Sequence, residues 1–165
     1  MVVVNIEEAK LLAQRWMNDT GFFKEDTNPR PDNLNFLLQG VGPTKIPFLV
    51  TQSSESKAKS IAVIVNVNIT KSSYKSLSEM SEEAREEFLW NLKKELVFAP
   101  ASFAFADDEK TGIPRRVQFV KAIYFDELSE GKLAEVVDYT TRSALWLIWT
   151  FRRKFGAPVD VKPVD

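Results

Sequence analysis

The residues of this chain best suited to chemistry are one lysine set in an apolar alternation and a few paired carboxylates and arginines. In "RVQFVKAIYF", Val117, Phe119, Ile123 and Phe125 recur at every second position, and Lys121 falls into their register. A lysine on the covered face of a strand is desolvated, which lowers its pKa and suits it to a ligand pocket or a catalytic role. A lysine whose stem snorkels to a sheet edge has neither use. Asp107 and Asp108 stand together in "DDEK". They offer a hard cation two carboxylates but lack the spacing of a calcium loop, and Asp is common in turns for its own geometry. Asp126 and Glu127 in "FDEL" read as helix-start residues. Arg115 and Arg116, at the head of a strand, either meet an anion or keep that strand from pairing with another molecule.

The missing residue types narrow the field further. The 165 residues include no histidine and no cysteine. That removes the commonest general base, thiolate nucleophiles, disulfides and thiolate metal sites. "QGVGPTK" holds two glycines without the Walker spacing, and no Gly-x-Ser-x-Gly elbow occurs. The expectation is a protein that is not an enzyme and uses no metal and no cofactor.

A net charge of -1 and a pI near 5.7 leave no clustered cationic excess for phosphates, so nucleic acid is disfavoured. "MVVVNIEEAK" has no basic start and no small-residue cleavage site. The most apolar run, "SALWLIWTF", is bounded by Arg142 and Arg152, well short of the roughly 20 residues that span a bilayer. A soluble cytoplasmic protein without membrane contact is expected.

These side chains need elements to position them, and the apolar periodicity supplies an order. Asn5 with Glu8 resembles a capping box, and Ile6, Ala9, Ala13, Trp16 and Met17 follow at helical spacing up to Gly21. "KEDTNPRPDN" reads as an exposed connection. "LNFLLQGV", "IPFLVTQS" and "SIAVIVNVNI" read as strands, with Pro47 at an edge or a strand start. In the third, Ile61, Val63, Val65, Val67 and Ile69 form one apolar face. Ser81 caps a second helix with Ala84, Phe88, Leu89, Leu92 and Leu96 as its buried stripe. "SFAFA" and "RVQFVKAIYF" are two further strands, and a last helix runs from about Leu128 to Phe155. The predicted fold is α+β, in the order α-β-β-β-α-β-β-α, with a five-stranded antiparallel sheet and helices mainly on one face. Residues 1–156 form a single domain and 157–165 an extended tail.

This order of elements, in an acidic chain of this size with a long apolar C-terminal helix, resembles the type III secretion chaperone-like superfamily and related archaeal and bacterial cytosolic proteins of unknown function. The resemblance implies small homodimers that hold an extended segment of a client protein. It implies no catalytic or metal-binding residue.

The last helix carries an independent pointer to association. At about 100° per residue, Leu133, Val136, Val137, Thr140, Ala144, Leu147, Ile148, Phe151 and Phe155 share one stripe. Trp146 and Trp149 project on the opposite side, among Glu135, Arg142 and Arg153. Two exposed indoles approach the patch size that marks an interaction site, and Trp and Arg are enriched at interface hot spots. Trp90 is off the stripe of the middle helix in the same way. The expected interface is therefore Trp146, Trp149, Arg142, Arg153 and Trp90, covered by self-association, by a protein client or by another part of the chain. The alternative is a small-ligand or catalytic domain whose pocket, near Lys121, lies between sheet and helices.

Overall fold

A computed structural model describes residues 5–28, 30–156 and 160–161. Helix α1 (Ile6–Asp19) starts where its cap predicts, with the Asn5 side chain accepting from the Glu8 amide at 2.9 Å. Ala9, Leu12, Ala13, Trp16 and Met17 form its buried stripe. Gly21, just beyond, takes φ 74°, a left-handed conformation that glycine adopts without strain.

Strands β1 (Phe23–Asp26), β2 (Leu34–Val41), β3 (Pro47–Ser53) and β4 (Ser60–Asn68) follow, then helices α2 (Lys71–Glu79) and α3 (Glu82–Leu96). Strands β5 (Ser102–Asp107) and β6 (Pro114–Tyr124), helix α4 (Glu130–Phe155) and the two-residue β7 (Asp160–Val161) complete the order. The sheet runs β1-β2-β3-β4-β6-β5 with every neighbouring pair antiparallel. β7 lies against Val67 and Asn68 of β4.

The architecture is α+β with an antiparallel sheet, but the predicted five strands and their order need correction. The sheet path has six strands, with β7 beside it. β1 runs into the segment read as a connection, taking its first three residues, Lys24 to Asp26. "FKED" is exposed apart from half-buried Phe23 and shows no apolar alternation; backbone pairing to β2 holds it, flanked by Val41 N–H donating to the Phe22 carbonyl at 2.9 Å. The added helix α2 buries only Ser73 and Leu77 and is started by Thr70, whose hydroxyl oxygen accepts from the Ser73 amide at 3.2 Å. Pro47 opens β3, which lies inside the sheet with β2 and β4 on either side. Of the predicted tail, residues 157–159 and 162–165 lie outside the described residues.

Ile61, Val63, Val65 and Val67 of β4 and Val117, Phe119 and Ile123 of β6 are buried on the face that meets α4. From α4, Leu133, Val136, Val137, Thr140, Ala144, Leu147, Ile148 and Phe151 close that core. Thr140 belongs there because its hydroxyl donates to the Val136 carbonyl at 2.7 Å, which satisfies the buried oxygen within the helix. Helix α3 departs from its predicted stripe: Leu92 and Leu96 are buried, Phe88 and Leu89 half-buried, and Ala84 exposed. Arg85 reaches α2, its Nη1 donating to the Leu77 carbonyl at 3.4 Å, and the apolar packing begins at Phe88, whose ring lies edge-on to Phe151 at 5.8 Å and Phe155 at 5.4 Å.

Where α1 crosses β2 the approach is so close that any side chain at Gly40 would force its neighbours to shift. A Cβ at Gly40 would stand 2.6 Å from Phe48 Cζ and 2.7 Å from Met17 Cε. Asp126 and Glu127, read as helix-start residues, instead lie in a turn in which the Glu127 amide donates to the Tyr124 carbonyl at 3.0 Å. The cap of α4 is Ser129, accepting from the Lys132 amide at 3.1 Å.

Candidate functional site

The outer side of α4 forms a ridge between two cavities. On the α3 side, a cleft of about 370 Å³ is lined by Phe98, Pro100, Tyr139, Arg142, Ser143 and Trp146, among others. On the α1 side, a cavity of about 330 Å³ is lined by Trp16, Thr20, Phe22, Thr44, Asp138 and Thr141, among others. The two indoles predicted to face outward differ. Trp146 is half-buried and packs against the core, forming one wall of the α3-side cleft, whereas Trp149 is 59% exposed.

Arg142 and Arg153 are both exposed on this ridge. Arg142 donates through Nε to Asp138 Oδ1 at 3.0 Å. Among the described residues no cation lies over either of these indoles. Trp90 is 67% exposed on α3 and lines neither cavity. The structure therefore brings Arg142 and Trp146 to one cleft and leaves Trp149 and Arg153 further along the same helix.

Lys121 lies opposite Val63 in the β4–β6 pairing, as its alternation predicts. Its ammonium does not sit in a pocket: Nζ donates to the Pro100 carbonyl at 2.8 Å and stands 5.7 Å from the Tyr139 ring centre. The side chain thus ties the loop after α3 to β6, and its bond ends at Pro100, one of the residues that line the α3-side cleft.

The acidic and basic pairs resolve into turn chemistry. Asp108 Oδ1 accepts from the amides of Lys110 (3.0 Å) and Thr111 (3.1 Å), and Oδ2 accepts from Arg115 Nη2 at 2.9 Å. The Arg115 guanidinium, aided by those amides, holds the Asp108 carboxyl below its usual range. Arg115 also stacks over the Tyr74 ring at 3.6 Å, so it ties α2 to the β5–β6 turn. Among the described residues no group of three acidic side chains gathers as a metal site, and no helix is long and apolar enough to cross a membrane.

Two features escaped the sequence reading. Val97 and Phe98, 66% and 84% exposed, project from the end of α3 beside the cleft. Their signal was available: both fall off the Leu92 and Leu96 stripe just before Pro100. Thr44 offered none, because its place beside residues of α1 and α4 in the α1-side cavity depends on tertiary packing.

Among curated proteins none matches the sequence. The fold is shared with a crystal structure of an uncharacterized protein from Methanothermobacter thermautotrophicus, at 19% identity and a TM-score of 0.80, over 90% of this chain and 99% of that one. At that identity the likeness speaks for the fold alone. Residues 10–151 match the family model described as "Uncharacterized conserved protein (DUF2299)", and with most of its length matched this chain belongs to that family.

Proposed function

We propose that this is a non-enzymatic, cytoplasmic protein-binding domain whose first partner is a second copy of itself, paired through the outer ridge of α4. The observation that carries the reading is the symmetric placement of charge along that ridge. Glu135 and Arg153, both exposed, are separated by five turns of helix. They therefore share one azimuth, about 27 Å apart along the axis. A two-fold antiparallel partner sets Glu135 of each copy against Arg153 of the other. Arg142 and Trp146 are equally distant from the same midpoint, so a guanidinium of one copy meets an indole of the other. Trp149, exposed on the same side, supplies apolar area between the charged ends.

A stable pairing buries roughly 800 Å² per partner, more than one helix face provides. Val97 and Phe98 at the rim of the α3-side cleft extend the surface, and in this reading the second copy covers them too. The absence of His and Cys from the chain supports a binding role over a catalytic one. A chaperone-like or adaptor role toward a client protein is a further part of this proposal, and what supports it is the exposed apolar surface of Trp149 and Phe98.

Sedimentation over a dilution series tests the pairing. Trp149→Ser and Phe98→Ser are each expected to weaken self-association while leaving the helical circular dichroism unchanged. Self-association of the same strength in both variants would reject this surface.

A further inference from the structure

The two edges of the sheet are not alike. β1 closes one edge with Lys24, Glu25 and Asp26, an ion pair from Lys10 to Asp26 at 2.6 Å, and a register break between Phe23 and Glu25. Charge and irregularity of that kind keep an edge strand from pairing with another molecule. β5 closes the other edge and, among the described residues, pairs only with β6. Its first five residues, Ser102 to Ala106, carry no charge, include no proline and keep one register with β6. Ser102, Ala104 and Ala106 are exposed. Every second residue of such a strand turns its N–H and C=O away from its one neighbour, so β5 offers half a ladder to a further strand.

The sequence of that edge is nearly palindromic about Ala104. Phe103 and Phe105 flank it at equal distance, as do the small residues Ser102 and Ala106. In an antiparallel pair related by a two-fold axis at Ala104, Phe103 of each copy faces Phe105 of the other, and Ser102 faces Ala106. The two rings of one chain already meet edge to face at 5.8 Å, so the seam gathers four, and aromatic cross-strand pairs stabilise antiparallel sheets. Asp107 falls opposite Ala101, so no like charges oppose one another. Moving the axis to Phe105 sets Phe103 against Asp107, and moving it to Phe103 sets Phe105 against Ala101. Phe103 and Phe105 pair with Phe119 and Val117 of β6 on the helix-covered face, so the helices of both copies stay on one side.

We infer that β5 is a docking edge for β5 of a second copy, joining the two sheets into one continuous antiparallel sheet. The seam shares no residue with the α4 ridge and goes beyond the pairing proposed there. Six residues make an edge about 20 Å long, and a seam of that length buries far less than the roughly 800 Å² per partner of a stable interface. The contact is accordingly weaker than the α4 pairing and forms at protein concentrations well above the micromolar range.

The absence of cysteine from the chain makes the seam readable by disulfide trapping in the full-length protein. Across the axis the two Ala104 Cα atoms stand about 4.5–5.5 Å apart, which is within disulfide reach. At high protein concentration with oxidised glutathione, Ala104→Cys is expected to form a covalent two-chain product about tenfold faster than Ala106→Cys, whose two copies lie too far apart to bond. Ala106→Cys mixed with Ser102→Cys should link about as fast as Ala104→Cys, because those positions oppose each other. Adding Arg153→Glu, which breaks the α4 pairing, should leave the Ala104→Cys product unchanged, so the two contacts fail separately. The inference is overturned if Ala104→Cys links no faster than Ala106→Cys, if the mixture links no faster than Ala106→Cys alone, or if Arg153→Glu abolishes the product. A thiol from Ala104→Cys that resists a soluble maleimide and forms no product marks an edge covered by its own chain. One that reacts freely with the maleimide but never self-links leaves the edge to a different partner, and either result overturns the inference.

Discussion

Arg142 Nε lies 3.0 Å from Asp138 Oδ1, one turn away on α4, yet the two side chains line different cavities. The pair therefore forms the crest of the ridge, holding Arg142 toward α3 and Asp138 toward α1. Both partners are substantially exposed, 71% and 45%, so the bond positions the side chains more than it stabilises the fold. Asp138→Ala is expected to cost about 0.3–0.5 kcal/mol in chemical denaturation, and less in high salt.

The two tryptophans of α4 should separate cleanly in stability measurements. Trp146 packs against the core, so Trp146→Ala is expected to cost about 1–3 kcal/mol through lost apolar burial. Trp149 is 59% exposed, and Trp149→Ala should stay within about 0.5 kcal/mol under conditions where the chain is monomeric. Urea melts at low protein concentration read the difference directly.

Gly40→Ala is expected to destabilise the protein by about 1–3 kcal/mol, because the added methyl overlaps Phe48 Cζ and Met17 Cε and those buried side chains must shift. A companion Met17→Ala change, which removes one of the two obstructing groups, should recover part of the loss relative to Met17→Ala alone. Thermal melts of the four chains form the cycle.

Asp108 gives a pH dependence with a defined sign. Arg115 and two amides hold its folded pKa below the ordinary 3.8. Its stabilising contribution is therefore present above that value and lost as pH falls through the lower folded pKa. Asp108→Asn should lower the urea midpoint at neutral pH, and the gap to wild type should close under strong acid. A gap that stayed constant down to pH values below both pKa values would show that the carboxylate charge plays no part.

Much of the scaffold was legible because its periodicities are strong. The α4 stripe from Leu133 to Phe151 and the β4 face from Ile61 to Val67 each bury the residues that their spacing assigns. β1 was not legible, since "FKED" pairs through backbone groups that any residue supplies. Nor was α2, whose nine residues bury only Ser73 and Leu77. The register of Lys121 was readable in the alternation, but the Pro100 carbonyl that receives it comes from a loop 21 residues away, and periodicity does not report loop placement. The same holds for both cavities. Arg142 and Trp146 were visible as residues off the stripe, while Phe98, Thr44 and Trp16 became their neighbours, or one another's, only through tertiary packing.

The pairing of two α4 ridges is tested most directly by exchanging its charges. Light scattering of the wild-type chain at micromolar concentration should give twice the single-chain mass of 18.8 kDa. Arg153→Glu, which sets glutamate against Glu135 of the other copy, should reduce that to one chain, and adding Glu135→Arg should restore the pair. A wild type that runs as a single chain, or a double variant no better associated than Arg153→Glu alone, would contradict the account.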